Sequence, residues 1–166
     1  LTVMKMIEKE IYTDVPTMDG RTWKDLLANI EAKSSDIIRT LDNPLFNEPG
    51  LKILKGNLSP TGSIVRPTGV PAEMKQFSGK AKVFSSDMES WDAIERGEIK
   101  PGDVIVIRYE GCVGAPGMTE LMSSTDALLA KGLDKSVGLI SDARFSGFNY
   151  GAIVGHVTPE AAKGGL

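Results

Sequence analysis

The stretch KPGDVIVIRYEG, residues 100–111, constrains the fold most. Pro101, Gly102 and Asp103 read as a turn, and Val104 to Tyr109 is rich in the β-branched residues that suit a pleated, half-buried surface. A strand of this kind needs partners, and the chain supplies several. LKILKGNLSPTGSIVRP reads as a hairpin, with Leu51 to Leu54 and Ser63 to Arg66 as its arms and Gly56, Pro60 and Gly62 turning the chain. AKVFSS, SVGLI and GAIVGHV read as three further short strands.

Helices are interleaved with these strands. The opening LTVMKMIEKE reads as helix. TWKDLLANIEAK places Trp23, Leu26, Leu27 and Ile30 on one face, and Thr22 with Asp25 resembles a capping box that satisfies free amides at the helix start. SDMESWDAIERG repeats the device with Ser86 and Glu89, turns Met88, Trp91 and Ile94 inward and stops at Gly97. A further helix is expected around STDALLAKG, ending at Gly132, and a last one from Thr158 as N-cap and Pro159 at the first helical position. Between residues 34 and 50, Pro44, Pro49 and Gly50 mark an extended connection. Short strands with a few helices and no regular β-α-β period predict an α+β domain with a closed or nearly closed sheet.

Length allows one domain with a proper core, and 41% apolar with 25% charged residues is ordinary for a soluble globular protein. Net charge is −3 and the 19 Lys and Arg are scattered, so the basic stripe that nucleic-acid binding needs is missing. No apolar stretch approaches the ~20 residues that cross a bilayer, and the first residues lack the basic-then-apolar order of a signal peptide. The expectation is a cytoplasmic protein without membrane or nucleic-acid partners. Both ends read as cut from a longer polypeptide.

Few residues carry recognisable chemistry. The single cysteine, Cys112, and single histidine, His156, exclude a disulfide or a Cys- or His-rich metal site built within this chain alone. Cys112 has no basic neighbour in sequence to activate it, and His156 sits in an apolar run where it reads as structural. EGCVGAPGMTE is glycine-rich, but Met118 and Thr119 stand where a phosphate loop requires Lys and Ser or Thr, so its glycines read as a tight turn or a close backbone approach. Glu110, Glu120 and Asp142 lie on loops after strands, where carboxylates can take a hard cation or simply face solvent. SDARFSG, Ser141 to Gly147, connects two apolar runs; its Ser146 lacks the G-x-S-x-G elbow because Arg144 stands where the first glycine would be. Such a serine acts only if something, for instance a nearby metal, stabilises its alkoxide.

Taken in order, LKILKGNLSPTGSIV, GEIKPGDVIVIRYEG, GAPGMTE, LISDARFSG and GHVTPEAA resemble the C-terminal part of the dihydroxy-acid dehydratase and sugar-acid dehydratase family, from about residue 10 to the last. YTDVPTMDGRTWKD resembles the family's segment leading into that part, which sets residues 1–30 as the end of an N-terminal domain with its linking helix and residues 31–166 as the C-terminal domain. The resemblance implies a β-barrel-like swivelling domain with flanking helices. It also implies a hydro-lyase that removes water from a 2,3-dihydroxy carboxylate to give a 2-keto acid in branched-chain amino-acid biosynthesis.

By the same resemblance, an iron-sulfur cluster and magnesium are expected to serve the full-length enzyme, which is expected to be a homo-oligomer. In the family it resembles, the cluster cysteines and most magnesium ligands belong to the N-terminal domain, so this segment alone is expected to bind neither and to be inactive. Residue by residue, the resemblance makes Glu120 a magnesium ligand and Ser146 the base that takes the C2 proton, with Arg144 near the substrate. Ala143 is more typical of sugar-acid members, whereas Phe145, RYEG at 108–111 and VPAEMKQF look like dihydroxy-acid dehydratase. FNYGAIVG sets Phe148 and Tyr150 where they could reshape the substrate pocket. The alternatives are an aldonate dehydratase or a non-catalytic binding or assembly module with the same fold.

Overall fold

The computed structural model describes residues 1–147 and 149–166. The chain divides into two compact units, Leu1–Asn47 and Glu48–Leu166.

In the first unit the opening helix forms in two pieces, α1 (Thr2–Met6) and a 3-10 turn at Glu8–Glu10. Helix α2 (Trp23–Leu27) starts on the expected capping box: the Asp25 N–H donates to Thr22 Oγ1 at 3.2 Å and the Thr22 N–H to Asp25 Oδ2 at 2.9 Å. It ends far short of Lys33. Only Leu27 of the predicted apolar face is fully buried, and a helix this short has little packing to offset the cost of ordering more turns. Residues 31–51 then run without helix or strand, as the prolines predict.

The second unit is one six-stranded sheet in the order β1-β2-β6-β5-β4-β3. The predicted hairpin forms as antiparallel β1 (Lys52–Leu54) and β2 (Gly62–Val65). Strands β3 (Lys80–Phe84), β4 (Asp103–Ile107) and β5 (Gly138–Ser141) pair in parallel, with α3 (Asp87–Glu95) and α4 (Ser123–Ala130) as the two crossovers. β6 (Ile153–Thr158) is parallel to β5 and antiparallel to β2. Parallel strands added in one direction put both crossover helices on one face when each has the usual right hand. Accordingly α3 and α4 pack together, and Ala93, Ile94 and Leu128 meet Ile105, Ile107 and Leu139 in the core. Each fully buried Ile or Leu there contributes about 1.5–3 kcal/mol.

The α+β class expected from the sequence is what the structure shows. The barrel is not: the sheet is open, with β1 and β3 as its edges. The reason is the run β3-α3-β4-α4-β5, a regular β-α-β series that the sequence reading missed; it extends the sheet away from the hairpin instead of curling it back. Helix α3 also differs in rotation. Met88 is 55% exposed, while Asp87, Ser90, Ala93 and Ile94 form the buried stripe at helical spacing. Ser86 Oγ accepts the Glu89 N–H at 3.2 Å, but the Glu89 carboxylate accepts from the Ser85 N–H at 2.8 Å. At the C-terminus Thr158 is committed to the β6 ladder, paired with Gly62 and donating its hydroxyl to the Gly62 carbonyl at 2.6 Å. It therefore caps nothing, and the expected last helix is one 3-10 turn, Ala161–Lys163. No helix among the described residues is long and apolar enough to cross a membrane.

Candidate functional site

Because β4 and β5 are parallel with Ile107 opposite Ser141, the segments that follow them leave the sheet at the same edge. That edge, outside the carboxyl ends of parallel strands, is where loops of an open sheet converge. One segment is the glycine-rich loop ending at Glu120; the other is the SDARFSG turn. They are joined by main chain: Glu120 and Arg144 form a parallel bridge, and the Leu121 N–H donates to the Arg144 carbonyl at 3.0 Å. The structure thus brings Glu120 and Arg144 together, with Ser146 two residues beyond. Glu120 and Arg144 are exposed and Ser146 is half-buried.

The three loop carboxylates that sequence left equivalent now separate. Asp142 is 1% exposed; its Oδ2 accepts the N–H groups of Tyr109 at 3.2 Å and Ala161 at 2.9 Å, and its Oδ1 that of Glu110 at 3.1 Å. Glu110 is half-buried, with Oε1 accepting the Asp87 N–H at 3.0 Å and Oε2 the Thr119 hydroxyl at 3.3 Å. Both acids are occupied by the protein itself, in charge-assisted bonds that are roughly twice as strong as neutral ones. Glu120 enters no side-chain hydrogen bond or ion pair among the described residues. Of the three carboxylates, it alone has no protein partner among the described residues.

Two further acids escaped the sequence reading. The Asp87 carboxylate accepts the Ser123 and Ser124 N–H groups at 3.2 and 3.1 Å, so the first residue of α3 caps α4. Glu160 Oε2 accepts the N–H groups of Val113 at 3.0 Å and Gly114 at 3.4 Å, holding the glycine-rich loop from the C-terminal segment. No local pattern announces contacts between residues this far apart in the chain. Gly114 itself allows the tight turn: a Cβ there would lie 2.6 Å from the Tyr109 carbonyl oxygen.

Within the turn, Ala143 is 0% exposed, its N–H donates to Ser141 Oγ at 3.0 Å, and its carbonyl accepts the His156 N–H at 2.8 Å. His156 adopts φ 54° and contributes its backbone to this contact. Phe145 packs against the core. β6 approaches so closely that a Cβ on Gly155 would sit 3.0 Å from the Phe145 ring. Beyond Ser146, Arg66 donates to the Asn149 carbonyl at 2.9 Å and the Gly151 N–H to the Gly69 carbonyl at 3.0 Å. Tyr150 is exposed, and Phe148 lies outside the described residues. Cys112 is an exposed free thiol.

No group of three or more His, Cys, Asp or Glu among the described residues could hold a metal ion. A cavity of about 420 Å³ does exist, but its lining includes Val65, Phe77, Val104, Ile140 and Val154, and neither Glu120, Arg144 nor Ser146. The residues expected from the sequence stand at the loop edge, outside this apolar hollow.

The family described as "Dihydroxy-acid/6-phosphogluconate dehydratase C-terminal" matches residues 36–166. The chain belongs to this family. Among curated members, the protein named dihydroxy-acid dehydratase from Methanococcus aeolicus is 45% identical over 163 residues, covering 98% of this chain and 30% of that protein. Its namesake from Nostoc is 48% identical over 168 aligned positions, with coverage of 98% and 30%, and that from Moorella thermoacetica 49% over 150, with 90% and 27%. The chain spans about 30% of the length of these dehydratase relatives.

Proposed function

We propose that this chain is the C-terminal domain of a dihydroxy-acid dehydratase, with residues 1–30 as the end of the preceding domain and its linking helix and residues 31–166 as the domain proper. The whole enzyme would be a cytoplasmic homo-oligomer that eliminates water from a 2,3-dihydroxy carboxylate in branched-chain amino-acid biosynthesis. One observation carries the reading: the main-chain bridge that holds Glu120 beside Arg144, at the turn bearing Ser146. This sets an unoccupied carboxylate, a permanent cation and a hydroxyl at one edge.

The two metal groups of the reading fit this chain differently. Magnesium prefers hard oxygen ligands in octahedral array; Glu120 would offer one such oxygen donor, and the rest of the protein, substrate and water would have to supply the others. When bound, the ion polarises the substrate carboxylate and so raises the acidity of the proton on C2. Iron-sulfur clusters are held by several cysteine thiolates, and the exposed Cys112 is the chain's single cysteine, so this chain does not fit the cluster.

In the proposed reaction Ser146 Oγ, as alkoxide, takes the C2 proton, the C2–H electron pair forms the C2=C3 double bond, and the C3–O bond breaks with its pair on the leaving hydroxide. The proton is passed on so that hydroxide departs as water and Ser146 returns to alkoxide, and the resulting enol tautomerises to the 2-keto acid. A serine hydroxyl is a very weak acid, so Oγ accepts a proton only where cations hold it as alkoxide. Arg144, two residues earlier, contributes a fixed positive charge to the turn and meets the anionic substrate. The buried methyl of Ala143 points to the core, so this departure from the dihydroxy-acid pattern says nothing about the substrate side and gives the sugar-acid reading no support.

The full-length protein with iron and magnesium restored should form a 2-keto acid from 2,3-dihydroxyisovalerate and not from aldonates, and Ser146→Ala should abolish turnover. Keto acid from aldonates alone, or full activity in Ser146→Ala, would overturn the assignment.

A further inference from the structure

Both ends of the glycine-rich loop are fastened to the same short segment. Its beginning is held by the Asp142 side chain, which receives the N–H groups of Tyr109 and Glu110. Its end is held by the Arg144 carbonyl, which receives the Leu121 N–H. The loop from 109 to 121 is therefore a closed circuit, with Ser146 just past the fastening and Glu120 just before its second anchor. From this geometry we infer that Asp142 is a positioning residue for the Glu120–Ser146 pair. The inference rests on the hydro-lyase reading for what that pair does.

At 1% exposure Asp142 has no surface to offer a substrate, and its two oxygens are already shared among three amides. It acts through backbone. Tyr109 is in the left-handed region at φ 66°, a conformation that bulky residues rarely adopt and that persists where the surroundings enforce it. The Asp142 bond to the Tyr109 N–H is part of that enforcement. The third amide, from Ala161, ties the same carboxylate to the C-terminal segment, whose Glu160 holds Val113 in the middle of the loop. Without Asp142 the loop keeps the Leu121 anchor and the Glu110 and Glu160 contacts but loses the tie on its first two amides, and the slack this leaves shifts Glu120 relative to Ser146. Displaced supports of metal ligands typically cost about 10–100-fold in affinity.

The test compares Asp142→Asn with Asp103→Asn in the full-length protein. Asp103 is also buried and accepts a backbone amide, Lys100 N–H at 2.9 Å, but at the opposite end of β4. With Mn²⁺ as the probe, read by its EPR signal, Asp142→Asn should weaken binding by about tenfold or more and speed amide exchange across 109–121. Asp103→Asn should do neither, and cluster absorbance should survive in both. Ala161→Pro provides a milder probe: position 161 opens a 3-10 turn after an extended Glu160, which suits proline, and only the N–H to Asp142 is removed. It should shift both readouts in the same direction by less, and it replaces Asp142→Asn if that variant does not fold. Parental Mn²⁺ affinity and parental exchange in Asp142→Asn, or in Ala161→Pro where that replaces it, would overturn the inference, as would an equal shift in Asp103→Asn. Unchanged affinity in Glu120→Gln would instead overturn the metal-ligand reading, with loop exchange then deciding the role of Asp142.

Discussion

Replacing Asp87 by Ala should destabilise the second unit through a helix to which Asp87 does not belong. Helix α4 has no side-chain cap of its own; its Ser123 and Ser124 amides donate to the Asp87 carboxylate at 3.2 and 3.1 Å. Loss of an N-cap costs about 0.5–2 kcal/mol. Here water cannot substitute fully, because Ser124 is 0% exposed, and a buried donor left without a partner costs about 1–3 kcal/mol. The favourable placement of an anion at a helix N-terminus is lost as well. Together these give about 2–4 kcal/mol, which for a chain of this size lowers the melting temperature by roughly 5–12 °C. Asp87→Asn keeps one acceptor oxygen and should lose about half as much. Thermal unfolding followed by circular dichroism measures both. A fall of less than about 2 °C in Asp87→Ala would show that the inter-helix cap contributes little, and the reasoning would fail.

Two further outcomes are expected. Gly114→Ala drives a Cβ to within 2.6–2.7 Å of the Tyr109 backbone, so the loop must open and turnover of the full-length enzyme should fall at least tenfold, although neither Ser146 nor Glu120 is touched; near-parental turnover would contradict the tight-turn argument. Cys112→Ser should leave the iron content and cluster absorbance of the full-length protein unchanged, since a single exposed thiol does not hold a cluster; loss of iron on purification would refute this.

What could be read in advance was local. The Thr22–Asp25 box and the β-branched run at 104–107 depend on residues within a few positions of one another, and both formed. The length of α2 depended on packing, and its periodic residues found too little of it. The inward turn of Met88 failed because Asp87 had a buried task, receiving amides from a helix 36 positions later. Glu110, Glu120 and Asp142 looked alike as loop acids; only the tertiary fold reveals which are occupied by amides and which has no partner among the described residues. The parallel run β3-α3-β4-α4-β5 was overlooked because its strands are four or five residues long, too short for periodicity to announce a repeating unit.

Of the two fastenings between the motif loops, the one at Glu120 and Arg144 contains an amide and a carbonyl and no side chain, whereas the other is the Asp142 carboxylate. The main-chain junction is blind to residue identity. A glutamate at 120 could become glutamine, or an arginine at 144 a lysine, and the crossing would remain. Scaffold and reagent are thus separately editable: the main chain specifies the address, and two adjacent positions hold whatever chemistry is written there. For an engineer this edge of the sheet is a two-slot socket, open to new reactivity without rebuilding the fold around it.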